Sequence, residues 1–219
     1  MLAAKRIIGT EPDFQQGDPL NKTIDYYFAP QSPWTYLGHA RLLAMAAAAQ
    51  AKVRVLPADF GKVFAVSGGL PLGKRAPQRQ AYRLQELARF RDILQLPLQV
   101  QPRYFPVAGD DAGRLIVAVD QQDGADAALR LSGAVFSAVW VQQRDIADAQ
   151  TLAELLRECG LAPERLTQSH EPAAQQGYDA NAQAAIDAGV FGAPSYVIDG
   201  EIFWGQDRLD FVERKLNRA

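Results

Sequence analysis

One cysteine, Cys159, is all that the chain holds, so no internal disulfide can form and no cysteine pair is available for dithiol chemistry. Histidine is nearly as scarce. His39 and His170 lie far apart, and with one thiol they give no metal-ligand spacing. No apolar run approaches the ~20 residues of a membrane-spanning helix. The best candidate, Leu42 to Ala51, is short, alanine-rich and interrupted by Gln50. Basic charge is not in excess: 23 Lys and Arg stand against 25 Asp and Glu, a formal net charge of −2. That argues against nucleic acid, whose binding leaves a basic footprint. Lys5 and Arg6 are followed only by Ile7, Ile8 and Gly9 before polar residues begin, too little for the apolar core of a secretory leader. The expected location is the cytoplasm, with no membrane partner.

What is present suits a soluble α/β protein. A length of 219 residues and 48% hydrophobic content allow one domain with a sizeable core, or one domain carrying a large insertion. Residues 1–22 are polar and turn-rich and read as a loose N-terminal arm, with Ile7 and Ile8 as its docking points. Ile24 to Phe28 is a short aromatic strand that Ala29-Pro30-Gln31 breaks. Ser32-Pro33 then opens a helix, an N-cap serine followed by proline at the first helical position. Val53 to Pro57 alternates as a second strand. In such β-α-β openings, ligands bind at the carboxyl ends of the strands.

From residue 60 to 189 the pattern is mainly helical. Gln78 to Leu94 carries Tyr82, Leu84, Leu87, Phe90 and Leu94 as its apolar set. The proline-rich Leu96 to Phe105 reads as extended. Leu115 to Gln122, Ala125 to Arg144, Ala149 to Cys159, Pro163 to Ser169 and Pro172 to Ala188 read as helices, with Gly189 as a terminator. Ser195 to Asp199 and Glu201 to Trp204 form a hairpin about Asp199-Gly200. Asp207 is expected to cap a last helix. The order β-α-β, helices, β-β-α is that of a thioredoxin-like α/β fold with a large all-helical insertion. The thioredoxin-like part spans 23–59 and 190–219, and the insert 60–189.

Three segments carry the chemistry. Ser32-Pro33-Trp34-Thr35 occupies the helix start where a thioredoxin-like fold usually has Cys-x-x-Cys. Free N–H groups and the helix dipole favour an anion there, so a thiolate is stabilised, but here it must arrive on a ligand. Ser32 is thus either a plain cap or a donor to an incoming sulfur. Ala193-Pro194 opens the third strand at the place of that fold's cis-proline. A cis bond would present the Ala193 peptide to a ligand by strand addition; an ordinary trans proline is the alternative. Gln206 and Asp207 either cap the last helix or grip the amino-acid end of a ligand.

Gly189-Val190-Phe191-Gly192-Ala193-Pro194-Ser195-Tyr196 with Phe203-Trp204-Gly205-Gln206-Asp207-Arg208-Leu209 closely resembles the C-terminal signature of the 2-hydroxychromene-2-carboxylate isomerases, the kappa-class glutathione transferase kind. Tyr27-Phe28 and Ser32 to Leu37 resemble that family's first strand, catalytic serine and first helix. The resemblance runs from about residue 23 to the end. It implies glutathione as cofactor, a homodimer, a small aromatic substrate, and Ser32 facing the glutathione sulfur. It places Ala193, Pro194, Gln206 and Asp207 at the cofactor, and Arg79 where the family has a lysine. Leu70 stands near a family asparagine, and Ala29-Pro30 replaces an acidic residue. The activity implied is isomerisation by reversible thiolate addition; conjugation of glutathione to an electrophile, or binding without turnover, are the alternatives.

Other residues read more simply. Cys159 reads as packing, His39 as structural or surface, and His170 as exposed. Lys74, Arg75 and Arg79 form either a solvated surface or a gate for a substrate carboxylate. Tyr82, Tyr104 and Phe105 line either an aromatic-acid pocket or the core.

Overall fold

The computed structural model describes residues 22–218. The arm read from residues 1–22 therefore lies outside the described residues, apart from Lys22.

Four strands form one mixed sheet in the order β2-β1-β3-β4. They are β1 Thr23–Phe28, β2 Lys52–Pro57, β3 Ser195–Ile198 and β4 Glu201–Trp204. β2 runs parallel to β1, joined through helix α1, Pro33–Ala48; β3 runs antiparallel to β1. The period of two along β1 separates two cores. Ile24, Tyr26 and Phe28 enter one apolar cluster, while Tyr27 enters the other. Asp199 and Gly200, with φ of 52° and 76°, form the expected tight hairpin turn, which demands left-handed backbone at both places.

Between β2 and β3 run α2 Phe60–Ser67, α3 Pro77–Leu94, α4 Asp110–Asp123, α5 Ala125–Trp140, α6 Ala149–Glu158, α7 Glu164–Gln168 and α8 Pro172–Asp187; α9 Leu209–Leu216 ends the chain. Leu115, Ile116, Leu131 and Phe136 of α4 and α5 share a core with Tyr26 and Phe28. α2 and α8 cover the other face through Phe60, Val63, Ala182 and Ala185.

Helix α1 buries Leu37, Gly38, His39 and Leu42. Fully burying leucines at about 1.5–3 kcal/mol each outweighs any single cap, so packing decides where this helix sits. Gly38 permits the close approach: a Cβ there would stand 2.7 Å from the Tyr196 hydroxyl oxygen. At the far edge, Lys22 Nζ donates to the carbonyls of Lys215 and Leu216 at 3.1 and 2.8 Å, fastening the start of β1 to the end of α9.

Several boundaries differ from the sequence reading. α4 starts at Asp110 rather than Leu115, with Asp110 and Asp111 in its first turn, where the dipole favours them. α5 stops at Trp140 rather than Arg144: Val141 already leaves helical geometry at φ −120°, and Gln143 follows with φ 56°. Residues 96–105 are irregular rather than extended. Their hydrogen bonds are scattered rather than laddered: Gln99 N–H donates to Trp140 O at 2.7 Å, Arg103 N–H to Gln143 Oε1 at 3.3 Å, and the Tyr36 hydroxyl to Pro97 O at 2.5 Å. Asp207 does not cap α9. It lies within a 3₁₀ turn, Gln206–Arg208, and pairs with Arg208 at 2.9 Å.

Candidate active site

Ser32 is the N-cap of α1, and its Oγ accepts the Thr35 N–H at 3.4 Å. That bond is longer than the usual 2.7–3.2 Å range, so the hydroxyl is lightly held. Its proton is free to donate outward. The Trp34 N–H makes no backbone bond among the described residues, as expected in the first turn. Thr35, in the place of a second redox cysteine, is fully buried and its Oγ1 has no partner.

The Ala193–Pro194 bond is cis, and the register Tyr27↔Ser195 sets it beside the carboxyl end of β1. Ser195 Oγ donates to Gly192 O at 2.7 Å and Gly205 N–H to Pro194 O at 2.9 Å, fixing the loop on both sides. The N–H and C=O of Ala193 itself make no backbone hydrogen bond among the described residues.

Between these two features lies a cleft with two adjoining lobes, of about 870 and 480 Å³. Trp34, Arg75, Arg79, Arg83, Ala193 and Trp204 border both. Ser32 lines the larger lobe, and Gln206 and Asp207 the smaller. Pro194 is buried behind Ala193. Gln206 is almost wholly buried; its Oε1 accepts from Arg41 at 3.2 Å while its Nε2 has no partner.

The larger lobe is mostly apolar. Phe60, Phe64, Leu70, Phe105 and Val107 line it, and Phe191 and Trp204 close its rim as an edge-to-face pair 4.9 Å apart. Of the three aromatics read as pocket or core, Phe105 lines this lobe and Tyr82 the smaller one. Tyr104 lies outside both, near the Arg103 guanidinium, which stands 5.2 Å from its ring.

Both signs of charge line the cleft. α3 and the turn before it supply Arg75, Arg79 and Arg83, none in an ion pair among the described residues. Lys74 does not line the cleft. Burial, and then the neighbouring Arg79 charge, lower the Arg75 value; burial and then Arg75 bring Arg83 down to about 10. Both remain cations at neutral pH. Asp59 and Asp110 also line the larger lobe. Asp59 accepts the Gly61 N–H at 2.7 Å and Asp110 the Tyr178 hydroxyl at 3.2 Å.

Among the lining residues that escaped the sequence reading, two stand out. Arg83 resembled any cation on a polar helix face, and Gln31 lay unremarked beside Ser32. The Gln31 Oε1 is buried without a partner. The bland readings of His39 and Cys159 agree with the geometry. His39 Nε2–H donates to Leu129 O at 3.1 Å beneath α1. Cys159 packs against the core, where burial raises its thiol pKa and disfavours the thiolate.

Comparison with known proteins places this geometry. The model of the DSBA-like thioredoxin domain matches residues 23–217. A 2-hydroxychromene-2-carboxylate isomerase of Sphingobium xenophagum is 29% identical over 199 residues, covering 90% of this chain and 99% of the relative. Glutathione S-transferase kappa 1 of Homo sapiens is 23% identical over 210 residues, covering 90% and 92%. The solved structure of a 2-hydroxychromene-2-carboxylate isomerase superposes with a TM-score of 0.75 at 26% identity, covering 90% of this chain and 95% of that one. The resemblance read from Ser32 to Leu37 and from the C-terminal signature is borne out, and the chain belongs to the DsbA-like thioredoxin family.

Proposed function

We propose that this protein is a glutathione-dependent cis–trans isomerase of aromatic pyruvate derivatives of the 2-hydroxychromene-2-carboxylate kind. The observation that carries the reading is the pairing of a cis Ala193–Pro194 bond with a helix start bearing Ser32 and no cysteine. Such a cleft suits a thiol brought by a ligand, since no cysteine lines it.

The donor set fits a small acidic peptide. Ala193 offers an unbonded peptide edge, Arg79 a carboxylate partner, and Asp207 a partner for an ammonium group. Glutathione, when bound, would supply a thiolate capable of reversible addition to a conjugated double bond, which is single and free to rotate while the sulfur is attached. The chain's own residues do the rest. The Ser32 hydroxyl donates to the sulfur, and the Trp34 N–H and α1 dipole hold it anionic. The aromatic walls keep water from the reacting carbon, and the arginine wall orients an acidic substrate. The helical residues 60–189 supply most of the substrate walls, as an insert into the thioredoxin-like part. The same reading includes a homodimeric, cytoplasmic enzyme, as the resemblance implies.

The test follows the ultraviolet change of a chromene carboxylate with and without glutathione, in the natural chain and in Ser32→Ala. Losing a hydrogen bond to a charged sulfur is expected to slow turnover about 10- to 100-fold. Full activity without glutathione overturns the reading. The kinship to the kappa transferase favours one second reading, in which glutathione is passed to an electrophile; a product assay separates them, because a transferase consumes glutathione and an isomerase returns it.

A further inference from the structure

Arg83 is anomalous among the three arginines of the cleft. It is only 8% exposed, yet its Nη2 has no hydrogen-bond partner. Its guanidinium lies 4.9 Å from the Phe105 ring centre and 5.7 Å from that of Trp140, which hold it in place without neutralising it. None of the four acids that line the two lobes pairs with it. Glu86, one turn on, pairs with Arg89, and Asp207 pairs with Arg208. Asp110 accepts from Tyr178 and Asp59 from the Gly61 amide. A buried cation without an anion is costly, and the cost is recovered if a ligand brings the anion. Arg75 spends its Nε on Leu70 O at 2.8 Å, and Arg79 is exposed, where solvent screens its charge.

We propose that Arg83 is the specificity-determining residue that receives the carboxylate of an aromatic acid substrate in the lobe beside Ser32. Its planar fork takes the carboxylate while Phe105 and the apolar wall take the ring. Selection against neutral aromatics then comes from Arg83, and Arg79 is left for the cofactor. This rests on reading the larger lobe as the substrate site, but not on glutathione.

The test is therefore run without glutathione. Calorimetry on the full chain measures binding of cinnamate and of its neutral isostere cinnamamide. The natural chain is expected to prefer the anion about 10- to 100-fold, the range of a desolvated charge-assisted contact. Arg83→Met keeps an apolar stem against Phe105 and should bring the two affinities together. Arg83→Lys, which keeps the charge and gives the answer if the methionine variant does not fold, should retain only part of the preference. Arg79→Met should retain most of it. An unchanged preference in Arg83→Met or in Arg83→Lys, its loss in Arg79→Met, or a natural chain that does not prefer the anion overturns the proposal. Failure of the isomerase reading would show instead as glutathione-independent turnover, which leaves this ratio untouched.

Discussion

Helix α1, which presents Ser32, is held from below by a histidine whose neutrality the fold enforces. His39 packs edge-on to Phe136 with ring centres 5.1 Å apart, and its Nδ1 lies 3.4 Å from the Tyr26 hydroxyl. Burial lowers its pKa from 6.5 to about 4, against the opposing effect of the Leu129 carbonyl bond. Unfolded, His39 takes up its proton near pH 6.5; folded, it resists until about pH 4. Between those values the unfolded chain holds the extra proton, so stability is full above the upper value and falls as the pH drops through the window. The slope is about 1.4 kcal/mol per pH unit, giving a loss of about 3 kcal/mol across the window. The assay is urea unfolding of the natural chain and of His39→Gln at neutral pH and at about pH 4.5. The variant is expected to be less stable at neutral pH and to lose about 2–3 kcal/mol less on acidification. Equal losses in both chains would refute the reasoning, since carboxylates that titrate in acid are common to both.

Two further outcomes bear on the same helix. Ser32→Cys places a thiol against the unbonded Trp34 amide and the α1 dipole, so its pKa should fall below the ordinary ~8.5. Thiolate absorbance against pH reads this, and a thiol titrating at or above the ordinary value contradicts the anion-stabilising role of the helix start. Gly38→Leu forces a side chain into the buried Tyr196 hydroxyl and the Gln206 Cβ, 2.7 and 3.0 Å from the new Cβ. Overpacking should cost about 2 kcal/mol or more despite the better helix propensity of leucine; thermal unfolding checks it, and an unchanged midpoint shows that the α1–β3 contact yields.

Local chemistry makes the frame legible in the amino-acid sequence. The Ser32-Pro33 start, the Asp199-Gly200 turn and the alternation in β1 each depend on a few neighbouring residues, and each falls where expected. What fails depends on distant partners. Leu96 to Phe105 has strand-like content but no strand to pair with, so it packs as a loop with a second cis bond, Phe105–Pro106. Tyr82 fits a helical apolar stripe but is 54% exposed at the cleft mouth. Arg83 is invisible because nothing in its neighbours along the chain shows that Phe105 and Trp140 will enclose it. The start of α4 is the one avoidable miss: Gly109 followed by Asp110-Asp111 is a readable acidic first turn.

The place of β1 between β2 and β3 separates two inheritances. The loop after β1 and the loop before β3 meet because the strands pair, however much chain intervenes. Drift along α4 to α8, which set Asp110 and Tyr178 on the larger lobe, can therefore reshape that lobe while leaving in place the two loops that meet beside β1. Anyone wishing to redirect the cleft would therefore change the Arg83 side chain alone and keep its helix, which also carries Arg79.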